Sequence, residues 1–466
     1  MAALQIFTIA ARPQGVEVEI TVDRTARTAS VSGQTIGGSS SSDLLSVAFK
    51  REVSGFPDLG SRIRSIELAD LQGNPVSVRK LMEGEYVAAS DFRFWKYAVD
   101  LTPPKDRTGY AHASWIADNR GVLMLGDLLP QYFTRPGKLR GRVKLKLPDG
   151  WTLNSSDAPA LGSEDLHSSV IFIGKSPRAV EVTGDLKLVL SGEWHFTDDE
   201  AAQMAREIFD EYSKMLGDLP KKPFLIALQR FPTQESPGQW EAETRGRTVT
   251  IFSSDMPFRT QSLQRLHEQL RHEIFHLWFP NGIDLIGDYA WFYEGFAMYS
   301  SLKLAVKLNR IRFEDFLDTL GRAHTIDTNS KPRRPLTDGS IDPTIRYARG
   351  MLIAFLTDLE LLRNSGGKTD VGKSLRDLFT RHPRVPHGVP ATDAVKTVVT
   401  HAATLERYVD GADAIDWTAK LAAVGIRSTQ TGRTTTLAVE PKPSGRQKEI
   451  LDRLGYNNWR KIGTKK

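Results

Sequence analysis

The chain contains no cysteine. That absence excludes disulfide frameworks, thiolate nucleophiles, cysteine-ligated zinc, iron–sulfur clusters and CxxC redox chemistry, and it leaves histidine, aspartate and glutamate as the side chains able to hold a metal. It does not choose a compartment, because a cysteine-free chain tolerates oxidising and reducing surroundings alike. No run approaches the roughly 18–20 apolar residues of a membrane-spanning helix. Neither charge dominates: 62 Lys and Arg against 56 Asp and Glu leave a net +6, interspersed over 466 residues, so nothing points to nucleic acid. The basic runs KPRRPL, RHPRVPH and WRKIGTKK are short and broken by proline or terminal, and read as solvated loops. A GxSxG elbow, a Walker loop and a dinucleotide fingerprint are all missing. The opening MAALQIFTIAARPQG has no basic lead and only a short apolar run, so it reads as a poor signal peptide and leaves the compartment open.

What is present is an ordinary globular composition, 40% hydrophobic and 25% charged, long enough for two to four domains. From Gln5 to about Leu190, short alternating runs such as VEVEITV, RVKLKL and LKLVLS are separated by turn residues and predict an antiparallel β region. At Thr197 the pattern changes. TDDEAAQMAREIFDEYSKMLGDL carries a capping residue, acids in the first turn and apolar residues at helical spacing. Strands at FLIALQRF and RTVTIFS follow, then a helix from about Thr260 to Phe279 and an almost wholly helical stretch from Asp288 past Tyr347. This order predicts a multidomain α+β protein, with a β-rich domain over 1–195, an α/β segment over 196–310, a helical region over 311–425 and an extended tail with a short helix over 426–466.

The chemistry concentrates between Arg271 and Tyr299. His272, Glu273 and His276 form H-E-x-x-H, and two residues four apart on an α-helix lie about 40° apart around its axis, so both imidazoles can hold one ion. Leu263, Leu266, Leu270, Ile274 and Leu277 form an aliphatic stripe nearly opposite the pair, and Pro280 closes the element. Farther on, Tyr289 to Tyr299 is aromatic and small-apolar all round except for Glu294. A carboxylate in such surroundings costs several kcal/mol unless it is paired or neutralised, and a divalent metal does both. The alternatives are a protonated Glu294 or one on an exposed face. His272, His276 and Glu294 offer three N/O ligands and an open fourth position, the catalytic rather than the structural zinc pattern. Glu273 is placed for general acid–base work. His267, about 140° from His272, reads as a surface residue or one behind the ligands.

HEIFHLW followed by WFYEGFAMY resembles the gluzincin metallopeptidases, in the clan of the M1 aminopeptidases and M61 glycyl aminopeptidases. Their signature is H-E-x-x-H, a spacer, and an E-G-F/H segment whose Glu is the third zinc ligand, the place of Glu294. The spacer here is 17 residues where M1 members usually have 18, and Tyr293 stands where Asn is common. Tyr347-Ala348-Arg349-Gly350 is similar to the clan's Tyr-x-Lys-Gly, and the TDLEL beyond it is closer to M61. The resemblance implies a thermolysin-like catalytic domain and one zinc ion per chain, and it gives Tyr347 the task of stabilising the oxyanion. Gly238-Gln239-Trp240-Glu241-Ala242 partly matches the G-x-M-E-N of M1 enzymes, which implies that Glu241 holds a peptide's free α-amine, with Glu243 as its rival. The activity implied is that of a zinc aminopeptidase acting on peptides. An endopeptidase or other zinc hydrolase without the amine anchor, and a non-catalytic scaffold, stand as alternatives.

Overall fold

A computed structural model describes residues 15–36, 46–53, 56–131, 138–157, 162–163, 165–382 and 388–458. The expected β structure over residues 5–14, the end of RHPRVPH and the terminal WRKIGTKK therefore lie outside the described residues. The chain divides into two compact units, one of Met1–Ala202 with Lys221–Ser262 and the other of Gln203–Pro220 with Leu263–Lys466. Compactness thus groups the chain differently from the order of segments along the sequence.

The first unit is built on sheets. In its seven-stranded sheet, Gly15–Asp23, Thr28–Ile36 and Phe94–Asp100 occupy the centre. The alternation of VEVEITV appears as burial of Val16, Val18, Ile20 and Val22 with the intervening residues turned outward, as a pleated strand with one covered face requires. These valines meet Val31, Tyr97 and Val99 in one core. The expectation of antiparallel pairing needs a correction at two places, because Gly15–Asp23 pairs in parallel with Gly141–Lys146, Val18 facing Val143, and LKLVLS, Leu186–Ser191, pairs in parallel with Phe224–Arg230. Alternation has period two in either pairing mode, so it carries no information on direction.

A five-stranded sheet in the same unit runs Arg178–Glu181, Leu186–Ser191, Phe224–Arg230, Thr248–Ser253, Trp240–Arg245. Leu186–Ser191, Phe224–Arg230 and Thr248–Ser253 are parallel, and FLIALQ is buried without interruption, the mark of a strand covered on both faces. Trp240–Arg245 runs antiparallel at the edge, and it carries both candidate anchors, Glu241 and Glu243.

The second unit is mainly helical. Arg259–Phe275, most of which lies in this unit, carries His272 and Glu273, with His276 the first residue past its end; we call it the ligand helix. Ala290–Lys307, the glutamate helix, carries Glu294, and Pro343–Ser365, the tyrosine helix, carries Tyr347. The tyrosine helix starts cleanly, with Pro343 in its first turn and the Asp342 carboxylate accepting from Thr344 N at 2.8 Å. The tail is not extended as expected. Ile426–Thr431 and Thr434–Val439 form a hairpin whose Thr435 hydroxyl meets His324 Nδ1 at 2.9 Å, and Gly445–Leu454 is a helix with a capping box from Ser444 and Gln447. A two-residue turn at Gly432, in the left-handed region, allows the reversal that its composition left unresolved.

Candidate metal centre

The ligand helix owes its place to the stripe read from its sequence. Leu266, Leu270, Ile274 and Leu277 are buried and Leu263 is half-buried. On its other side, Tyr212 donates its hydroxyl to the Arg271 carbonyl at 2.6 Å, and Arg271 itself, buried, donates to Ser301 O on the glutamate helix at 2.5 Å. The chain leaves α-helical geometry earlier than Pro280 suggests. After Phe275 it winds into tighter turns, His276 N to Glu273 O and Leu277 N to Ile274 O, both 3.1 Å. Trp278 then pins the exit by donating Nε1 to Gly217 O at 2.7 Å.

The structure brings His272, His276 and Glu294 together. His272 Nε2 and His276 Nε2 are 3.2 Å apart, and Glu294 Oε2 lies 3.4 Å from the first and 3.6 Å from the second. A tetrahedral ion with metal–ligand bonds of about 2.0–2.1 Å spaces its ligands about 3.3 Å apart, so the three atoms fit a zinc-sized ion without moving. The orientation of one imidazole is set from behind: His276 Nδ1–H donates to the Phe279 carbonyl at 2.7 Å, which leaves the Nε2 lone pair turned to the centre. These nitrogens and the carboxylate repel one another at such distances unless a proton or a cation lies between them.

Electrostatics agree. Burial opposes charge on Glu294, yet His276 and His272 hold its carboxyl well below the ordinary range. Burial likewise opposes charge on His276, and Glu294, joined by Glu273, raises it to about 9. The triad is therefore built to hold one positive charge, a proton or a metal ion, and the two compete. The readings of Glu294 as a neutral or solvent-facing acid do not match this geometry.

Glu273 is buried, one residue along from His272 and close enough to act on His276. Tyr347 is half-buried in the early turns of the tyrosine helix. His267 is not at the surface as one reading had it: it is buried, and neither ring nitrogen has a hydrogen-bond partner among the described residues. Three features had no sequence signal: the Phe279 carbonyl, the Tyr293 ring standing edge-on to His276 at 5.9 Å, and the meeting of Gly295 with Gly350.

That meeting ties the motifs together. A Cβ on Gly295 would lie 2.3 Å from the Gly350 carbonyl carbon, and one on Gly350 would lie 2.3 Å from the Trp291 carbonyl oxygen. Only glycine at both positions lets the two helices touch backbone to backbone. The residue after Glu294 and the residue three beyond Tyr347 are thus one contact, which sets how far the third ligand stands from the tyrosine.

In the first unit, the two candidate anchors part company. Glu243 pairs with His112 Nδ1 at 2.6 Å and Arg245 at 3.7 Å, and these partners, against the effect of burial, hold its carboxyl at about 2. Glu241 is met at 2.7 Å by a single cation, Arg107.

Two histidines and a distant glutamate whose ligand atoms converge are a donor set able to hold one divalent ion with a coordination position left open. Comparison of the whole chain with solved structures gives the fold its place. It is similar to an aminopeptidase N family protein from Idiomarina loihiensis, with a TM-score of 0.71 at 14% identity, over 89% of this chain and 79% of that one. It is also similar to an M1 zinc metallopeptidase from Deinococcus radiodurans bound to a Tyr-Ser-Ala substrate, with a TM-score of 0.59 at 17% identity, over 88% and 96%. Native yeast LTA4 hydrolase gives a TM-score of 0.53 at 12% identity, over 94% and 70%. No protein-family profile and no curated protein matches the sequence. The fold is therefore of the M1 aminopeptidase kind, and the leaning toward M61 read from TDLEL gains no support from these likenesses.

Proposed function

We propose that the protein is a zinc-dependent metallopeptidase, an aminopeptidase that releases N-terminal residues from peptides. The observation that carries this reading is the convergence of His272 Nε2, His276 Nε2 and Glu294 Oε2 to within 3.2–3.6 Å of one another beside a buried Glu273. Zinc held by His272, His276 and Glu294 would supply a Lewis acid for the scissile carbonyl and lower the pKa of a water. Glu273 is placed to take a proton from the attacking water and return it to the leaving nitrogen as the carbon–nitrogen bond breaks, and the water's second proton passes from the new carboxyl group to the amine, yielding a carboxylate and an ammonium. Tyr347 donates its hydroxyl to the developing oxyanion. Glu241 receives the substrate's α-ammonium, since Glu243 is already committed to His112 and Arg245.

The test is Glu273→Gln assayed on a panel of aminoacyl fluorogenic substrates, with zinc content measured alongside. Zinc is expected to stay bound while hydrolysis falls by at least about a thousandfold. Full peptidase activity in that variant would end the proposed mechanism, and a wild-type protein without stoichiometric zinc would favour the scaffold reading. The second reading, an endopeptidase, draws on one observation, the Arg107 guanidinium on the expected amine anchor. It requires an amine-blocked peptide to be cleaved as well as its free-amine counterpart.

A further inference from the structure

The edge strand Trp240–Arg245 and the residues before it present Gln239, Glu241, Glu243 and Arg245 to one side, since strand residues two apart share a face. Opposite them lies a short 3-10 helix, Arg107–Ala111, with His112 following. The acids are matched one by one: His112 takes Glu243, and Arg107 takes Glu241.

The two pairs differ in kind. His112 is buried and belongs to the packing. Arg107 keeps 38% of its side chain exposed, and the short helix does not depend on it for attachment. Tyr110 is buried against Trp115 and Phe252, the Tyr110 carbonyl accepts from Trp115 Nε1 at 3.0 Å, and the Asp106 carboxylate caps the helix at Thr108. Arg107 instead spreads its fork over two acceptors, donating Nε–H to Glu241 Oε1 at 2.7 Å and Nη1–H to Gln239 Oε1 at 2.5 Å. Glu241 Oε2 accepts no hydrogen bond from any described residue.

We propose that Arg107 is a specificity-determining residue that weakens the site's demand for a free N-terminal amine by neutralising Glu241. The inference rests on the reading of Glu241 as the amine anchor. An ammonium arriving at Oε2 is attracted by the carboxylate and repelled, from slightly farther away, by the guanidinium already bonded to Oε1, so the pair offers it a hydrogen-bond acceptor with little net field. An acylated amine has no charge to be repelled, and the remaining guanidinium N–H groups can donate to its carbonyl. The protein therefore discriminates between free and blocked N-termini less than a bare carboxylate in the same place.

The experiment compares one peptide with a free N-terminus and its N-acetyl form on the wild type and on R107M, R107K and E241Q, with zinc content and thermal unfolding recorded for each. In R107M the ratio of kcat/KM, free over acetylated, rises at least about tenfold, carried by a lower KM for the free amine. R107K keeps the charge and stays near the wild type. A ratio in R107M that is unchanged or lower overturns the proposal, whether the residue then proves inert or a mere orienter of Glu241. E241Q separates this from the reading beneath it: if E241Q raises KM for the free amine while R107M leaves the ratio alone, the anchor stands and the proposal falls. If E241Q leaves that KM unchanged, the anchor reading itself fails and the proposal with it.

Discussion

Glu294 shows how much one side chain depends on two others. Its carboxyl is held well below the ordinary range, against burial, by the positive charge that His276 and His272, 3.6 and 3.4 Å away, can carry. Replacing it with Gln keeps the shape and removes the charge, so stoichiometric zinc should be lost on dialysis while the fold persists, as metal analysis and circular dichroism would show. His267 offers a test of a different kind. Burial, with Arg271 and Arg310 nearby, pushes its pKa down to about 3, from an ordinary value of 6.5. In the folded protein it stays neutral while the unfolded chain binds a proton below pH 6.5, so stability falls as pH drops from 6.5 toward 3 and is indifferent to this group above 6.5. His267→Leu should flatten that decline in denaturant melts at pH 7 and pH 5. An equal loss in both proteins would mean that the imidazole is not held neutral.

At the scale of elements, the crossing of the glutamate and tyrosine helices is held to close backbone contact by two glycines. Gly295 and Gly350 cannot accept a methyl group without moving a backbone, because the atoms in the way are a carbonyl carbon and a carbonyl oxygen. Gly350→Ala should cost about 1–3 kcal/mol in stability and shift Tyr347 relative to Glu294, so that hydrolysis falls by more than zinc affinity does. Denaturant melts and parallel zinc titrations check this, and a variant as stable as the wild type would mean the helices do not meet so closely. The same scale separates what could be read in advance from what could not. H-E-x-x-H spans about one turn at the end of one helix, with His276 just past its last residue, so its geometry follows closely from sequence spacing. The pairing of Gly15–Asp23 with Gly141–Lys146 joins distant strands whose alternation is the same in either direction.

For the whole molecule, the placement of the ligands divides the consequences of metal removal. His272, His276 and Glu294 all belong to the unit of Gln203–Pro220 and Leu263–Lys466, and none to the other. Zinc at a hundred times its dissociation constant stabilises the state that binds it by about 2.7 kcal/mol. A chelator should therefore abolish hydrolysis and sensitise Leu263–Lys466 to limited proteolysis more than the sheets of the first unit, both reversed by zinc. Cleavage that rises equally in the two units would argue against a metal held by this triad.

The reach of the sequence follows from the range of the interactions. The histidine pair, the acid beside it, the carboxylate stranded among aromatics and the change from sheets to helices were all legible, because each is a matter of local periodicity or of a charge in the wrong company. The hairpin in the tail was not, since its docking on His324 is a contact between distant parts of the chain. Nor could spacing show that the glycines of two motifs are a single contact, or that Glu241 meets a guanidinium 134 residues earlier in the chain. Local order is written in composition and period; which distant residues neutralise, touch or orient one another is decided only when the folded backbone brings them within a few ångströms.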